Sequence, residues 1–542
     1  MKHSIFLILI FSMMIISGSA GANLIEVSTD QNWCSIANDA EPGDILELAP
    51  GDHDDSCHLR AAGTQGAPII IRSADPEDPA RLSYYGTGAN TIEIRSESEH
   101  LILEGLHFPG TAGPHAIRFH DTRDITIRQN HFEKTGGVTM SANFSGKNAR
   151  RLHILDNTIF DVETTAIYFG CHSGADDCQT TDVRIEGNTI YGLDSPSVGY
   201  GIQIKVDSNA TIRDNAIFDT KGPGIMVYGS HDPEMTPSVI DGNLVISSRT
   251  SGGILVGGGP AIVTNNIVSD GHTYGIHIYE HNAGAPLQGV IVAHNTVFGN
   301  QGNAIHASGW SADGENVLVN NAIAPGDHSA IGANPDGLIE NNVVCDLDTH
   351  CFFEPQGPPL SLTPLPDGPL ANAAPAYETD WFPGVDFMGN SRDELNFAGA
   401  LNVDDEDGDP WFEIGQSRPE RTASDNEDDP TDEDDPTDEN HQDQDDQDDD
   451  QSTDDAETDS PKPGSEDEAS GCASTAGAST SPPLLMLFLL ALIGALRTRR
   501  ATAHRSRFIG ECSARKRARS SSERRLARYR NTRCEPPPHP IP

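Results

Sequence analysis

Side chains that can do chemistry recur at a fixed offset in a series of short segments that alternate apolar and polar residues. In GIQIKVD, Gln203 and Lys205 alternate with two isoleucines. The matching positions of GIMVYG and GIHIYE hold Tyr228, His277 and Tyr279. Because alternate side chains of a β-strand point to one face, we expect these polar side chains on one surface. Such a surface can bind a linear polysaccharide, since aromatic rings stack on sugar faces and cations pair with the carboxylates of acidic sugars.

The aligned segments predict two outward columns of side chains. One column runs Arg118, Thr139, Tyr168, Gln203, Met226, Leu255, His277, His306, and the other runs His120, Ser141, Gly170, Lys205, Tyr228, Gly257, Tyr279, Ser308. Since neighbouring strands lie about 4.8 Å apart, Lys205 should lie beside Tyr228 and near Gly170. Lys205 is the only lysine of either column. The alternative is an ordinary solvated lysine that is balanced by Asp207.

The histidine end of these columns is a second candidate centre. His277 and His306 should be neighbours, with Tyr279, Glu280 and His281 close by. Such a group could bind a metal ion or act as acid and base. It could equally be a polar surface that only contacts sugars.

Three acidic residues, Asp232, Glu234 and Asp241, follow the GIMVYG segment. They could hold a Ca²⁺ ion that bridges uronate carboxylates. Asp in a turn is, however, usually only a turn residue. No pair of Asp residues is arranged on the outward columns as glycoside hydrolysis requires, which disfavours a hydrolase.

The elements that must position these residues form a repeat. Ten times between residues 101 and 344 the chain alternates apolar residues, turns and adds another apolar pair. Runs of three to six residues with a period of two predict strands, and one unit every 21 to 31 residues predicts a solenoid. The sequence therefore predicts an all-β fold, a parallel β-helix of about ten coils over residues 23–350. The turn asparagines suit the left-handed conformation, and their stacked amides could hydrogen-bond from coil to coil; they are Asn130, Asn157, Asn188, Asn215, Asn243, Asn266, Asn295, Asn321 and Asn342.

The first 22 residues and the cysteines indicate export. Residues 1–22 contain Lys2, an apolar run over residues 5–16 and a small-residue flank, as a secretory signal peptide does. Disulfides are typical of oxidising compartments, and free buried thiols are the alternative. The predicted disulfides join Cys34 to Cys57, Cys171 to Cys178, and Cys345 to Cys351.

The net charge of −47 is spread unevenly. Residues 425–468 hold 23 acidic residues against one lysine, so residues 422–470 are predicted to be a disordered, extended linker. Residues 497–535 hold 14 Lys or Arg against three Glu. The basic tail, residues 501–542, is interpreted as a flank on the cytoplasmic side of a membrane or as the product of an altered reading frame, since an exported protein would not meet nucleic acid.

A family resemblance begins near the N-terminus. PGDILELAPGDH, GAPIIIRSADPEDPARL and LILEGLHF resemble the first coils of right-handed parallel β-helix proteins of the pectate-lyase-like superfamily. The resemblance covers residues 23–350 and implies that fold. It does not select an activity, because the superfamily includes lyases, hydrolases, epimerases and noncatalytic surface proteins.

The resemblance also implies roles for individual residues. In the related lyases a Lys or Arg removes the proton next to a uronate carboxyl group, helped by a cation. By this likeness Lys205 is the candidate base, Tyr228 the proton donor and His231 a helper. The base needs a lowered pKa, which burial or nearby positive charge would supply. The candidate substrate-binding residues are Tyr168, Gln203, His277, Tyr279 and His306.

Two C-terminal segments resemble parts of bacterial surface proteins. Within residues 351–421, Asp386, Phe387, Gly389 and Arg392 match a closing segment that folds back as a cap, although the following LNFAGALN departs from the usual ending. Residues 471–500 resemble myxobacterial-type sorting signals and contain an apolar core over residues 484–496. That likeness implies a membrane segment, with Cys472 as the anchoring residue.

Together these features predict an exported, surface-anchored monomer that binds acidic polysaccharide such as pectate or alginate and could cleave it by β-elimination, with Ca²⁺ as a possible cofactor. A noncatalytic carbohydrate-binding adhesin and a purely structural envelope protein are the alternatives.

Overall fold

The computed structural model describes residues 22–402, apart from 85–88, 112, 172–177, 195–197, 282–283, 311–314, 325–328, 334–336, 346–350, 355–360, 378, 380 and 393–394. Most of the predicted signal peptide lies outside the described residues. The same holds for residues 403–421, the acidic linker, the sorting segment with Cys472 and the basic tail.

The chain forms a parallel β-helix in which each coil contributes strands to three parallel sheets. The first sheet precedes the asparagine turn. Among the described residues it has 14 strands: Leu24–Val27, Ile45–Leu48, Ile69–Ser73, Glu99–Glu104, Thr122–Arg128, Ala149–Leu155, Thr180–Thr181, Val183–Glu186, Ala210–Arg213, Ser238–Asp241, Ala261–Thr264, Val290–Ala293, Val317–Val319 and Leu338–Glu340.

The second sheet follows the asparagine turn. In the described part of the chain it has 12 strands: Gly51–His53, Ala80–Leu82, His107–Phe108, His131–Glu133, Thr158–Phe160, Thr189–Leu193, Ala216–Thr220, Leu244–Ser248, Ile267–Ser269, Thr296–Phe298, Ala322–Ala324 and Val343–Val344.

The third sheet carries the candidate site. Over the described ranges it has 11 strands: Cys57–Leu59, Ile92–Ile94, His115–Phe119, Val138–Ala142, Ile167–Phe169, Ile202–Ile204, Ile225–Val227, Ile254–Val256, Ile276–Ile278, Ile305–Ala307 and Ile331–Ala333. The predicted all-β solenoid of about ten coils is therefore confirmed.

The alternation of inward and outward side chains along each strand determines which residues form the core. The two isoleucines of Ile202–Ile204 and the corresponding residues of the neighbouring third-sheet strands are fully buried, as alternation predicts. Inward residues of all three sheets join one continuous hydrophobic cluster along the helix axis. Burial of these side chains is the main favourable term that holds the coils together.

The predicted asparagine stack is present. The Nδ2 atom of each ladder asparagine, from Asn130 to Asn321, donates to Oδ1 of the ladder asparagine in the next coil at 2.8 to 3.1 Å. Each Nδ2 also donates to a backbone carbonyl, for example that of Ile185 from Asn215. The residue in the left-handed conformation is the one before the ladder asparagine, such as Asp214 with φ of 58°. The prediction that the asparagine itself adopts this conformation is therefore wrong.

The N-terminal end of the helix is closed by a short α-helix, Trp33–Asn38, whose Trp33 side chain is buried in the core. The Asn32 side chain caps this helix by accepting from the Ser35 backbone N–H at 2.8 Å. All three predicted disulfides are present, with Cα–Cα distances of 5.4, 5.4 and 6.0 Å.

The C-terminal segment folds back onto the outer face of the second sheet. It includes two antiparallel pairs, Phe352–Glu354 with Ser361–Pro364 and Ala374–Pro375 with Leu395–Asn396. Phe387 is fully buried in a cluster that includes Phe218 and Ile267 of that sheet. The buried Arg392 donates from Nη2 to Asn265 Oδ1 at 2.8 Å and to the Gly399 carbonyl at 2.9 Å. The segment thus lies along the side of the later coils.

The described part of the chain contains no helix that is long and apolar enough to cross a membrane. The predicted membrane segment, residues 471–500, is not among the described residues.

Asn215→Ala should lower the free energy of unfolding by about 3 kcal/mol, because several buried polar groups lose a hydrogen bond. These groups are the backbone N–H and the side-chain amide of Asn188, which both donate to Asn215 Oδ1, and the carbonyl of Ile185. Urea unfolding of the full-length protein measures the change. The control, Thr211→Ala on the partly exposed side of the same coil, should shift stability by less than about 0.5 kcal/mol. Equal losses in the two variants would contradict the role of the ladder.

Candidate functional site

The outer face of the third sheet brings most of the predicted site residues onto one surface. Its register places Arg118, Ser141, Tyr168, Gln203, Met226, Leu255, His277 and His306 in one column. The predicted column had Thr139 in place of Ser141, an error of two residues in one strand. A slip of two keeps the inward–outward alternation, so parity in the sequence could not detect it.

Lys205 lies immediately after Ile202–Ile204 and is enclosed. Only 1% of the residue is exposed. Its Nζ atom lies 3.9 Å from the centroid of the Tyr228 ring and 5.6 Å from that of Tyr168. A Cβ added at Gly170 would lie 3.1 Å from the Cβ of Lys205, so the predicted neighbourhood of the lysine is confirmed.

The lysine has lost its water without gaining a counter-ion. Among the described residues, no carboxylate lies within ion-pair distance of its Nζ atom. Burial penalises the charged form and lowers the pKa of Lys205 to about 7. The solvated lysine balanced by Asp207 is therefore wrong, because Asp207 pairs with His231 instead.

Tyr228 packs over the lysine and is tied to the neighbouring strand. Only 2% of the residue is exposed. Its hydroxyl oxygen accepts a hydrogen bond from Gln203 Nε2 at 3.0 Å, which leaves its own O–H free to donate elsewhere. Burial raises the pKa of Tyr228, so the phenol stays protonated. Met226, Leu255 and Tyr200 complete the apolar surroundings.

Tyr200 was missed by sequence reasoning. It precedes the strand rather than alternating within it, so no periodic signal marks it.

The predicted histidine centre is an aromatic stack. The His277 and His306 rings lie side by side with centroids 5.3 Å apart. Tyr279 stacks on His277 at 4.3 Å, and Tyr274 stacks on His306 at 4.8 Å. Burial and the neighbouring His306 lower the pKa of His277 to about 3, so its ring is neutral near pH 7. Neutral rings that lie on a flat face can contact sugars by stacking.

The polar partner of His231 is Asp207. The Nδ1 atom of His231 lies 3.3 Å from Asp207 Oδ1, and its backbone N–H donates to the same oxygen at 2.7 Å. The Ser230 hydroxyl donates to this oxygen as well. His231 is an exposed member of this local turn network.

The three acidic residues do not form one metal site. Asp232 and Glu234 lie in the exposed loop before the strand Ser238–Asp241, whereas Asp241 is buried at the far end of that strand. There it accepts from Thr264 Oγ1 and Asn265 Nδ2. In the described ranges, no group of three or more His, Cys, Asp or Glu residues could hold a metal ion.

A second polar cluster at the N-terminal end of the same face was also missed. Glu93 lies in the column next to Arg118 and accepts from Asn90, Arg95 and His120 at 2.9, 2.8 and 3.2 Å. These hydrogen bonds lower the pKa of Glu93 to about 2. Glu93 alternates with two isoleucines in the segment TIEIR, and this alternation indicates an outward position. The predicted columns start at Arg118, one strand after Glu93, and so do not include it.

Comparisons with known proteins agree with this architecture. The family model described as right handed beta helix region matches residues 146–323. A comparison of the sequence with curated proteins finds no match. Together with the parallel sheets, the family match shows that the chain is a right-handed parallel β-helix.

Several solved structures are similar to this chain at low sequence identity. The complex of XylC with xylose has a TM-score of 0.50 at 10% identity and covers 70% of this chain and 98% of that chain. Pectate lyase Pel9A has a TM-score of 0.46 at 11% identity, covering 71% and 98%. The A-module of the Azotobacter vinelandii mannuronan C-5 epimerase AlgE6 has a TM-score of 0.40 at 16% identity, covering 58% and 93%.

Lys205→Met should stabilise the full-length protein at pH 7 by about 1–3 kcal/mol, because a buried amine without a counter-ion is replaced by an apolar chain of similar length. The folded-state pKa of Lys205, about 7, lies below the ordinary value of 10.5. Wild-type stability therefore rises relative to the variant as pH increases from about 7 to 10. Urea unfolding across this range measures the difference. The control Lys221→Met, at a partly exposed lysine outside this face, should change stability by less than about 0.5 kcal/mol at pH 7. A destabilised Lys205→Met would contradict the assignment.

Proposed function

We propose that this protein binds acidic polysaccharide along the outer face of the third sheet and cleaves it by β-elimination, with Lys205 as the base. The supporting observation is the state of Lys205, which is buried without a counter-ion and has a pKa of about 7. An amine of that pKa is partly neutral at physiological pH and can accept a proton.

The elimination can be written with this chain's own groups. The neutral amine of Lys205 takes the proton on the carbon next to the uronate carboxyl group. The electron pair forms a carbon–carbon double bond as the bond to the glycosidic oxygen breaks. Tyr228 donates its proton to that departing oxygen, and its raised pKa keeps the phenol protonated for this step.

Gln203 is bound to Tyr228 and can orient the substrate. One amide hydrogen goes to the Tyr228 hydroxyl, and the second is available for a uronate carboxylate. Since Lys205 and Tyr228 are both enclosed, the reacting sugar must displace the side chains around them. Asp232, Glu234 and Asp241 do not lie together, so no step is assigned to a Ca²⁺ ion held by them.

A noncatalytic carbohydrate-binding protein is the second candidate function. The burial of Lys205 and Tyr228 favours it, because neither side chain meets solvent as the protein stands. The accessible part of the face then includes the rings of Tyr168, His277, Tyr279 and His306, which can stack on sugars without cleaving them.

Purified full-length protein should generate unsaturated, ultraviolet-absorbing products from pectate or alginate, assayed with and without added Ca²⁺. Lys205→Met should reduce the rate at least about a hundredfold, the range expected for loss of a general base, with little change in polymer affinity. Lys221→Met is the matched control and should keep wild-type activity. Binding without product formation by the wild type would support the noncatalytic candidate. Absence of binding to any uronate polymer would overturn the proposed function, and absence of binding to neutral polysaccharides as well would overturn both candidates.

The elimination rate should depend on pH through Lys205. Because the neutral amine is the active form and its pKa is about 7, the rate should rise nearly tenfold per pH unit below 7 and level off above it. Initial rates between pH 5 and 9 at polymer concentrations well below saturation test this, because they follow kcat/KM and so report groups of the ligand-free protein. A rate that falls between pH 6 and 8 would rule out Lys205 as the base.

We also propose that the protein is exported and held at the cell surface, as the signal-like residues 1–22 and the sorting-like residues 471–500 predict. Mass spectrometry of the protein from the producing cell's surface fraction should find a mature N-terminus near residue 23 and a modified C-terminus at Cys472. An intact Met1 or a retained basic tail, residues 501–542, would contradict the corresponding part of this proposal.

A further inference from the structure

The N-terminal end of the third-sheet face carries a cation whose charge is only partly compensated. Arg118 is half-buried, and burial lowers the pKa of its guanidinium. Its neighbour Glu93 already accepts hydrogen bonds from Asn90, Arg95 and His120. Within the described residues, no carboxylate lies within 4.0 Å of the Arg118 guanidinium, and its Nε atom is buried without a hydrogen-bond partner.

An exposed aromatic ring lies against this cation. Phe144 is 40% exposed. The Arg118 Cζ atom lies 4.8 Å from the centroid of the Phe144 ring, and the His120 ring lies 5.3 Å from it. An accessible ring beside a half-buried cation that has no carboxylate partner among the described residues fits a sugar that carries a carboxylate, because the ring contacts the sugar face and the guanidinium pairs with the acid.

The fold sets the distance between this cluster and the proposed base. Arg118, Ser141, Tyr168 and Gln203 occupy successive strands of one column. Three steps of about 4.8 Å place Arg118 about 14 Å along the helix axis from the strand Ile202–Ile204, which Lys205 follows. A pyranose unit in an extended chain is about as long as one strand spacing, so the two centres are about three sugar units apart.

We propose that Arg118 and Phe144 form a remote subsite that binds a uronate unit about three sugars away from the one bound at Lys205. This inference rests on the proposed function and adds to it a preference for chain length and charge. Long acidic oligomers should engage both centres at once, whereas short oligomers can occupy only one.

The test uses calorimetry to compare the binding of uronate trimers and hexamers by full-length variants that all carry Lys205→Met, so that no oligomer is cleaved during the measurement. Arg118→Gln should weaken hexamer binding about tenfold or more, the loss expected for one charge-assisted contact, and should leave binding of trimers at the Lys205 centre within about twofold. Phe144→Ala should weaken hexamer binding in the same direction. Arg150→Gln, on the first sheet and away from this face, is the matched control and should bind both lengths as Lys205→Met alone does.

The outcomes separate this inference from the proposed function. If the wild type binds uronate oligomers and Arg118→Gln weakens trimers and hexamers equally or not at all, the remote subsite is wrong and the proposed function stands. If the wild type binds no uronate oligomer, both are wrong. Retained trimer binding by Arg118→Gln also shows that the variant is folded.

Discussion

The stacking of coils at one spacing is the constraint on which the rest of this structure depends. Each ladder asparagine satisfies its amide only if the next coil lies one strand spacing away with its own asparagine at the same corner. This requirement sets a common register for the strands on both sides of the turn, and the apolar core fills the space inside. The third sheet is thereby held flat and regular, so its outward side chains form columns with a repeat of about 4.8 Å.

Burial of Lys205 on the outer face of the third sheet lowers its pKa. Two tyrosine rings and the apolar side chains Met226 and Leu255 remove water from the region around the amine. The nearest acidic residue in sequence, Asp207, is held by His231 and Ser230 in a turn of the next coil. The contact with the Tyr228 ring offsets only part of the desolvation cost, which is why the pKa falls rather than staying at the value of a solvated lysine.

The surfaces of the β-helix are used differently. The C-terminal segment covers the outer face of the second sheet over the later coils, where Phe218, Leu244 and Ile267 are buried beneath Phe387. Arg392 holds this cover by donating to backbone carbonyls and to Asn265. On the third sheet, the described residues leave aromatic and histidine rings partly accessible from Phe144 to His306. A ligand is therefore expected on the third sheet.

The sequence by itself determined the solenoid, the asparagine stack, the disulfides and the division of each strand into inward and outward residues. These features depend on local periodicity and spacing, which are properties of the sequence alone. Only the tertiary structure decided the two-residue register of Ser141, the pairing of Asp207 with His231 and the separation of Asp241 from Asp232. It also decided the burial of Lys205 and the presence of Tyr200 and Glu93 on the same face. The pairings and the burial depend on which side chains fill the space between coils. The register depends on how adjacent strands are aligned, and the alternation of apolar residues within one strand does not determine that alignment.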